Sequence, residues 1–354
     1  MPIFPYAGLA LILYVKLENA QYLCDRNGRH FHGNADNGRK RGRSVSISLI
    51  LLKEIVKLFL VMLMGFALIR TGKLSSRDGK ALSVLLVYLI LPCVIIHSFQ
   101  IDPSEAVRKG LLFSFCVAVA MHVLFIILTA VFRPVLKLNV VEQMSMIYTN
   151  AGILVFPLVT ALLGPEYLVY PCAYTAVQLM LIWTHGSYLL CGSGEIHIRT
   201  ILTNINVLSI LAGALLFLFQ ISLPPIIDQT MNSVGSMIGP VGMLITGMAI
   251  ADCNLKEIFG NMHAYLPVFM RLIAYPVVLA ALLAVFPAAS LIDDGKAILM
   301  SVFLASITPT AAIVTSMTAL YNKDSTYSAE LCVLSTILSI ITMPVLLFVF
   351  DCVV

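Results

Sequence analysis

Met144-Ser-Met-Ile-Tyr-Thr-Asn-Ala-Gly-Ile-Leu-Val-Phe-Pro157 lies inside a run, 143–165, that contains no Asp, Glu, Lys or Arg. Crossing a bilayer core takes about 20 apolar residues of helix, and this run is long enough. Yet its middle holds Thr149 and Asn150, and a proline follows. Proline lacks the backbone N–H and its ring clashes with the carbonyl four residues back. Helical bonding is therefore predicted to lapse near Pro157 and to free polar backbone at mid-membrane depth. A second stretch repeats the arrangement, Phe303-Leu-Ala-Ser-Ile-Thr-Pro-Thr-Ala-Ala312 in the uncharged run 297–322. One intramembrane proline reads as a kink packed on its neighbours. Two in matching places, Pro157 and Pro309, beside Thr149, Asn150, Ser306, Thr308 and Thr310, point to a binding site.

The rest of the chain is built to the same measure. Of 354 residues, 60% are hydrophobic and 11% charged, against about a quarter charged in a soluble domain. Mean hydropathy is +0.97. From Lys80 onward, further uncharged runs cover 81–101, 110–132, 167–194, 200–227, 229–251, 272–292 and 331–350. A last span precedes them at about 49–69, with Lys53, Glu54 and Lys57 in its first turns, where long side chains reach headgroups. Ten transmembrane helices are predicted in an all-α polytopic protein. Proline and glycine inside the spans argue against a β-barrel of alternating short strands.

Lys and Arg fix an expected orientation. Arg70, Lys73, Arg77, Lys80, Arg133, Lys137, Arg199, Lys256 and Lys323 fall in connections on one side, against Arg108, Lys109 and Lys296 on the other. The richer side is the cytoplasm, which puts both ends of the ten-helix unit outside. Residues 1–47 fit this poorly, because Arg39, Lys40, Arg41 and Arg43 would be held outside beside the first span. That segment is read as a disordered or misassigned extension. The eight cysteines show no CxxC or Cys/His ligand spacing, and the net charge of +4 is spread over loops. Neither a metal nor a nucleic acid is an implied partner.

Glycines and prolines recur at similar offsets: Gly65 with Gly213, Pro92 with Pro240, and Pro157 with Pro309. The pairs fall in spans one and six, two and seven, four and nine. Two five-helix halves follow, and an odd number of helices per half inverts the second. Inverted halves with interrupted helices are the signature of alternating-access carriers, with substrate near the midplane at the breaks.

Several segments are similar to the auxin efflux carrier family of membrane transport proteins. They are Gly65-Phe66 through Arg70-Thr-Gly-Lys-Leu-Ser75; Leu91-Pro92; Thr149-Asn150-Ala-Gly152 with Pro157; Pro240 with Leu244 and Gly247-Met-Ala249; and Leu334-Ser335-Thr336-Ile-Leu-Ser339-Ile-Ile-Thr-Met-Pro344. The resemblance covers about 48–350. It implies ten helices in two inverted repeats, 48–192 and 201–354, joined by a short cytoplasmic link at 193–200, with broken helices four and nine crossing. It also implies that spans three to five and eight to ten move against a scaffold of spans one, two, six and seven. Many relatives have Asn-Pro opening span six; here Asn204-Ile-Asn206-Val leaves that helix start open. The short link resembles bacterial members that move dicarboxylates or similar anions.

The candidate substrate residues are Thr149, Asn150, Gly152, Pro157, Gln178, Ser306, Thr308, Pro309 and Thr310. Gln178 is two helical turns from His185 on one face, with Trp183 and Thr184 nearby. Ordinary interhelical hydrogen bonding explains Gln178 equally well. Arg271, about two turns into span eight, is either a functional charge or a side chain that snorkels to the headgroups. By repeat offset its counterpart is His122, a packed histidine or a proton carrier. No intramembrane carboxylate stands out as a coupling site.

No HExxH, GxSxG or paired carboxylates occur within a span, so no catalytic residue, metal ligand or cofactor is assigned and an enzyme is not expected. Half-helix N-termini suit a carboxylate. The chain is thus expected to be a plasma-membrane carrier that exports or exchanges small organic anions. An anion-selective channel or a solute sensor on the same fold is the alternative. The bilayer, the small anion and a second copy of the chain as a homodimer are the partners compatible with it.

Overall fold

A computed structural model describes residues 35–192 and 203–354. Residues 1–34 and the predicted link at 193–200 lie outside the described residues. The helices in chain order are α1 (Ala35–Arg70), α2 (Ser76–Leu85), α3 (Leu91–Ser98), α4 (Glu105–Leu136), α5 (Val140–Ile147), α6 (Ala151–Leu162), α7 (Val169–Leu181), α8 (Ser187–Cys191) and α9 (Ile205–Leu218). They continue as α10 (Pro225–Gly235), α11 (Ile238–Asp252), α12 (Leu255–Gly260), α13 (Met262–Phe269), α14 (Tyr275–Val285), α15 (Gly295–Ile307), α16 (Ala312–Leu320) and α17 (Ser325–Val353). Widened π-type turns at Leu86–Ile90, Ile182–Gly186 and Met270–Ala274 join α2 to α3, α7 to α8 and α13 to α14. Residues 35–47, read from sequence as part of a disordered extension, are the opening turns of α1.

Local sequence sets several helix starts. Asn139 accepts from the Glu142 N–H at 3.0 Å while Glu142 accepts from the Asn139 N–H at 2.8 Å, a reciprocal box that opens α5. Asp324 caps α17 through the Tyr327 N–H at 2.9 Å. Asn204 settles the start left open by the missing proline: its side chain accepts from the Asn206 and Val207 N–H groups and opens α9. Such a cap is worth about 1 kcal/mol.

The chain is an all-α membrane protein. Among the described residues, five helical stretches are long and apolar enough to cross a bilayer: Asp78–Ser98, Glu105–Leu136, Pro225–Ala251, Met262–Val285 and Ser325–Val353. Ala151–Leu162, Ile205–Leu218 and Gly295–Ile307 are shorter apolar helices. Interruptions explain part of the shortfall from the ten runs counted in the sequence, because two of those runs are cut in their middles. On α4 the sidedness is that of a lipid-embedded helix. Val119, Val123, Ile127, Val131 and Val135 form an exposed apolar stripe, while Ser114, His122 and Thr129 are buried on the other face.

Packing divides along the same lines. α1 lies against α11, and α3 against α9 and α10, while α4, α7 and α15 pack on one another. α17 touches both α1 and α16. The α1–α11 contact is made backbone to backbone, since a Cβ on Gly65 would overlap the Leu244 carbonyl and one on Gly247 the Met62 carbonyl. α6 leans on α1 and α11, which brings the interrupted helices to the seam between these groups.

Candidate functional site

α5 ends at Ile147 and α6 begins at Ala151, leaving Tyr148, Thr149 and Asn150 between the two helices. α15 ends at Ile307 and α16 begins at Ala312, leaving 308–311 in the same state. The two gaps cross and pair as a short antiparallel bridge between Thr149 and Thr310. The Asn150 N–H donates to the Pro309 carbonyl at 2.8 Å, and the Ala311 N–H to the Tyr148 carbonyl at 3.1 Å. Unpaired backbone in a membrane interior costs several kcal/mol per group, so each gap is stable because the other is there.

The first break is not where the proline predicts. Pro157 sits within α6, six residues beyond its start at Ala151, and the helix continues to Leu162. Proline removes one hydrogen bond from a helix and can bend it; here the chain opens earlier, where the facing gap supplies partners. Pro309 does lie in its gap. The second half-helices start 161 residues apart, at Ala151 and Ala312, so Pro157 and Pro309 do not occupy matching positions. Pro157 instead helps wall a cavity of about 300 Å³ with Thr160, His97 and Asn232.

Side chains from neighbouring helices hold the crossing. Gln178 on α7 accepts from both the N–H and the hydroxyl of Thr149 at 2.9 Å and donates to the Thr149 carbonyl at 2.7 Å. One helical face carries a second support, as the Tyr148 hydroxyl meets His185 Nδ1 and the Leu181 carbonyl, both at 2.9 Å. In the other gap the Thr310 N–H donates to Ser335 Oγ at 3.2 Å, and the Thr310 hydroxyl donates to the Ser145 carbonyl at 3.0 Å. Arg271 is fully buried and does not snorkel. Its Nη2 donates to the Ser306 carbonyl and, at 2.8 Å, to the Thr308 carbonyl. His122 is equally buried on α4, with Nδ1 2.8 Å from the Ala118 carbonyl and its ring against Tyr174.

The hydroxyls of Ser306 and Thr308 donate to the Phe303 and Ala305 carbonyls, as that of Thr310 does to Ser145. Their protons are engaged. Asn150 differs: it is 8% exposed, and among the described residues nothing hydrogen-bonds its side-chain amide. No side chain caps α6 or α16, so the first-turn N–H groups of both half-helices, Gly152 included, converge on the crossing with their positive ends open.

The sequence model of a family described as membrane transport protein matches the chain over residues 50–199 and again over 193–347. The chain belongs to that family. The first match contains the gap at 148–150 and the second the gap at 308–311. This membrane transport protein is therefore a transporter by family, and the family is not one of enzymes. No curated protein matches the chain. Sequence reading did not single out Ser145, Tyr148 or Ser335 as partners at the crossing. Ser335 lies in a run of similar residues in the last span, Ser335, Thr336 and Ser339, and nothing local distinguishes it from them.

Proposed function

We propose that this transporter is a secondary carrier of small organic anions, carboxylates above all, working by alternating access across the plasma membrane. Its ten spans form two inverted five-helix repeats, and both ends lie outside. Spans three to five and eight to ten carry the crossing past a scaffold of spans one, two, six and seven. The observation that supports this best is the pair of uncapped half-helix N-termini meeting at the unbonded Asn150 amide. Each N-terminus presents roughly half a positive charge, and together they suit one carboxylate. The amide adds up to two donors.

Uptake by purified protein in liposomes, screened against carboxylic acids, cations and neutral solutes, tests the substrate class. Carboxylates should saturate transport, whereas transport confined to cations or neutral solutes, or a non-saturating anion current, would overturn the carrier reading. Asn150→Ala should weaken affinity about tenfold to a hundredfold, the loss of roughly 1.5–3 kcal/mol for a hydrogen bond to a charged group. Its melting temperature should stay near that of the native protein. Unchanged affinity would remove Asn150 from the site.

A further inference from the structure

Arg271 is a buried cation with no carboxylate beside it. The ion pairs among the described residues are Lys57–Glu54, His97–Asp228, Lys109–Glu105 and Lys296–Asp351, and none reaches it. Its Nη2 is given to two backbone carbonyls, Ser306 and Thr308, at the point where α15 ends. Its Nε and Nη1 are buried without a hydrogen-bond partner. The guanidinium carbon stands 5.4 Å from the centre of the Phe125 ring, within range of a cation–π attraction. An isolated buried charge is costly, and this one is kept at the crossing itself.

Carbonyls at the C-terminal ends of interrupted helices carry a partial negative charge. In carriers built this way they are where a coupling Na+ or proton is held. Here those carbonyls are already filled, by a cation attached to the chain. In the first gap no cation plays this part, and the Thr149 carbonyl receives only the neutral amide of Gln178. Because Arg271 has no exposed surface, the anion does not touch it, and its role is positioning. We infer that the Arg271 guanidinium is a built-in substitute for a coupling cation, holding the end of α15 in place so that transport proceeds without Na+. This rests on the carrier reading above.

The native protein and two variants in liposomes, with Na+ or choline as the bulk cation, test it. Native uptake should be the same in both salts. Arg271→Ala should lose about tenfold or more of its uptake in choline and regain much of it in low-millimolar guanidinium or in Na+. Arg271→Lys should remain independent of Na+. A binding readout needs no substrate: low-millimolar guanidinium should raise the melting temperature of purified Arg271→Ala and leave the native protein unmoved, since a ligand stabilises only the fold that binds it. Native uptake that requires Na+ would overturn the inference while leaving the carrier reading intact. So would full uptake by Arg271→Ala in choline, or an Arg271→Ala protein that neither melts later nor transports better with any added cation. Failure of every carboxylate to be transported would remove the carrier reading, and the guanidinium melting shift would then decide the cation site alone.

Discussion

In the first half of the crossing one neutral amide holds the interrupted backbone, whereas in the second a hydroxyl and a guanidinium divide that role. Gln178 satisfies the N–H, the hydroxyl and the carbonyl of Thr149 together. At Thr310 the N–H goes to Ser335 and the hydroxyl to Ser145, while the nearby carbonyls of Ser306 and Thr308 go to Arg271. The two gaps pair through one bridge, and their electrostatics differ. Two gaps that pair with each other can thus differ in charge, and among the described residues the guanidinium at the crossing serves only the second of them. Interruption is a property of the pair, because each gap bonds the other, whereas charge can be added to either gap alone.

The largest effect tests whether the halves are inverted at all. Inversion puts the connection between α1 and α2 on the opposite membrane face from the one between α9 and α10. Single cysteines within 72–79 should be closed to an impermeant thiol reagent applied outside intact cells, and cysteines at 220–223 should be labelled, in a background free of other reactive cysteines. Labelling of both segments, or of neither, would end the comparison, since two halves in the same orientation could not cross this way, whereas labelling of 72–79 alone would keep the inversion and reverse the predicted orientation.

Next comes the amide clamp. Gln178→Leu preserves bulk but leaves the Thr149 N–H and carbonyl without their partner. An unsatisfied buried group costs about 1–3 kcal/mol, though interhelical hydrogen bonds measured in a membrane average nearer 0.6. A loss of about 2–3 kcal/mol is expected, visible as a melting temperature lowered by about 5 °C. Because Gln178 serves the backbone, substrate affinity in the surviving protein should fall less than it does in Asn150→Ala. A larger loss of affinity than of stability would make Gln178 a ligand instead of a support.

What the sequence made legible, and what it did not, follows from the range of the interactions. Uncharged run lengths are local, and so the membrane class and the polar cluster around Asn150 could be read directly. The position of the first break could not. Pro157 is the loudest local signal, yet the gap opens at 148–150, where Gln178, 29 residues from Thr149, and Pro309 across the crossing provide partners. Arg271 announced itself as a charge, but distance along its helix could not say which neighbour it faces. Contact with Ser306 and Thr308, 35 and 37 residues away, decides against snorkelling. The repeat offset misled for a related reason: glycines and prolines are common in this chain, and the Pro157–Pro309 spacing mixes one residue inside a helix with one inside a gap.

The smallest effect bears on how the second half compensates. Ser335 Oγ accepts from the Thr310 N–H at 3.2 Å, a long bond, and the same hydroxyl donates to the Cys332 carbonyl at 3.0 Å within its own helix. Ser335→Ala removes an acceptor from one backbone N–H and little volume. Thr310 keeps its hydroxyl bond to Ser145, and its neighbour Ala311 keeps the bond to Tyr148, so the gap retains most of its support. The expected loss is about 0.6 kcal/mol, the average for a hydrogen bond between helices in a membrane, or a melting shift of about 1–2 °C. Combined with Gln178→Leu the cost should exceed the sum of the two singles, because the bridge between Thr149 and Thr310 would have lost a side-chain partner on each side and contacting sites couple. A double mutant whose loss equals that sum would mean that the two halves are held independently and that the crossing is two adjacent breaks, not one joint structure.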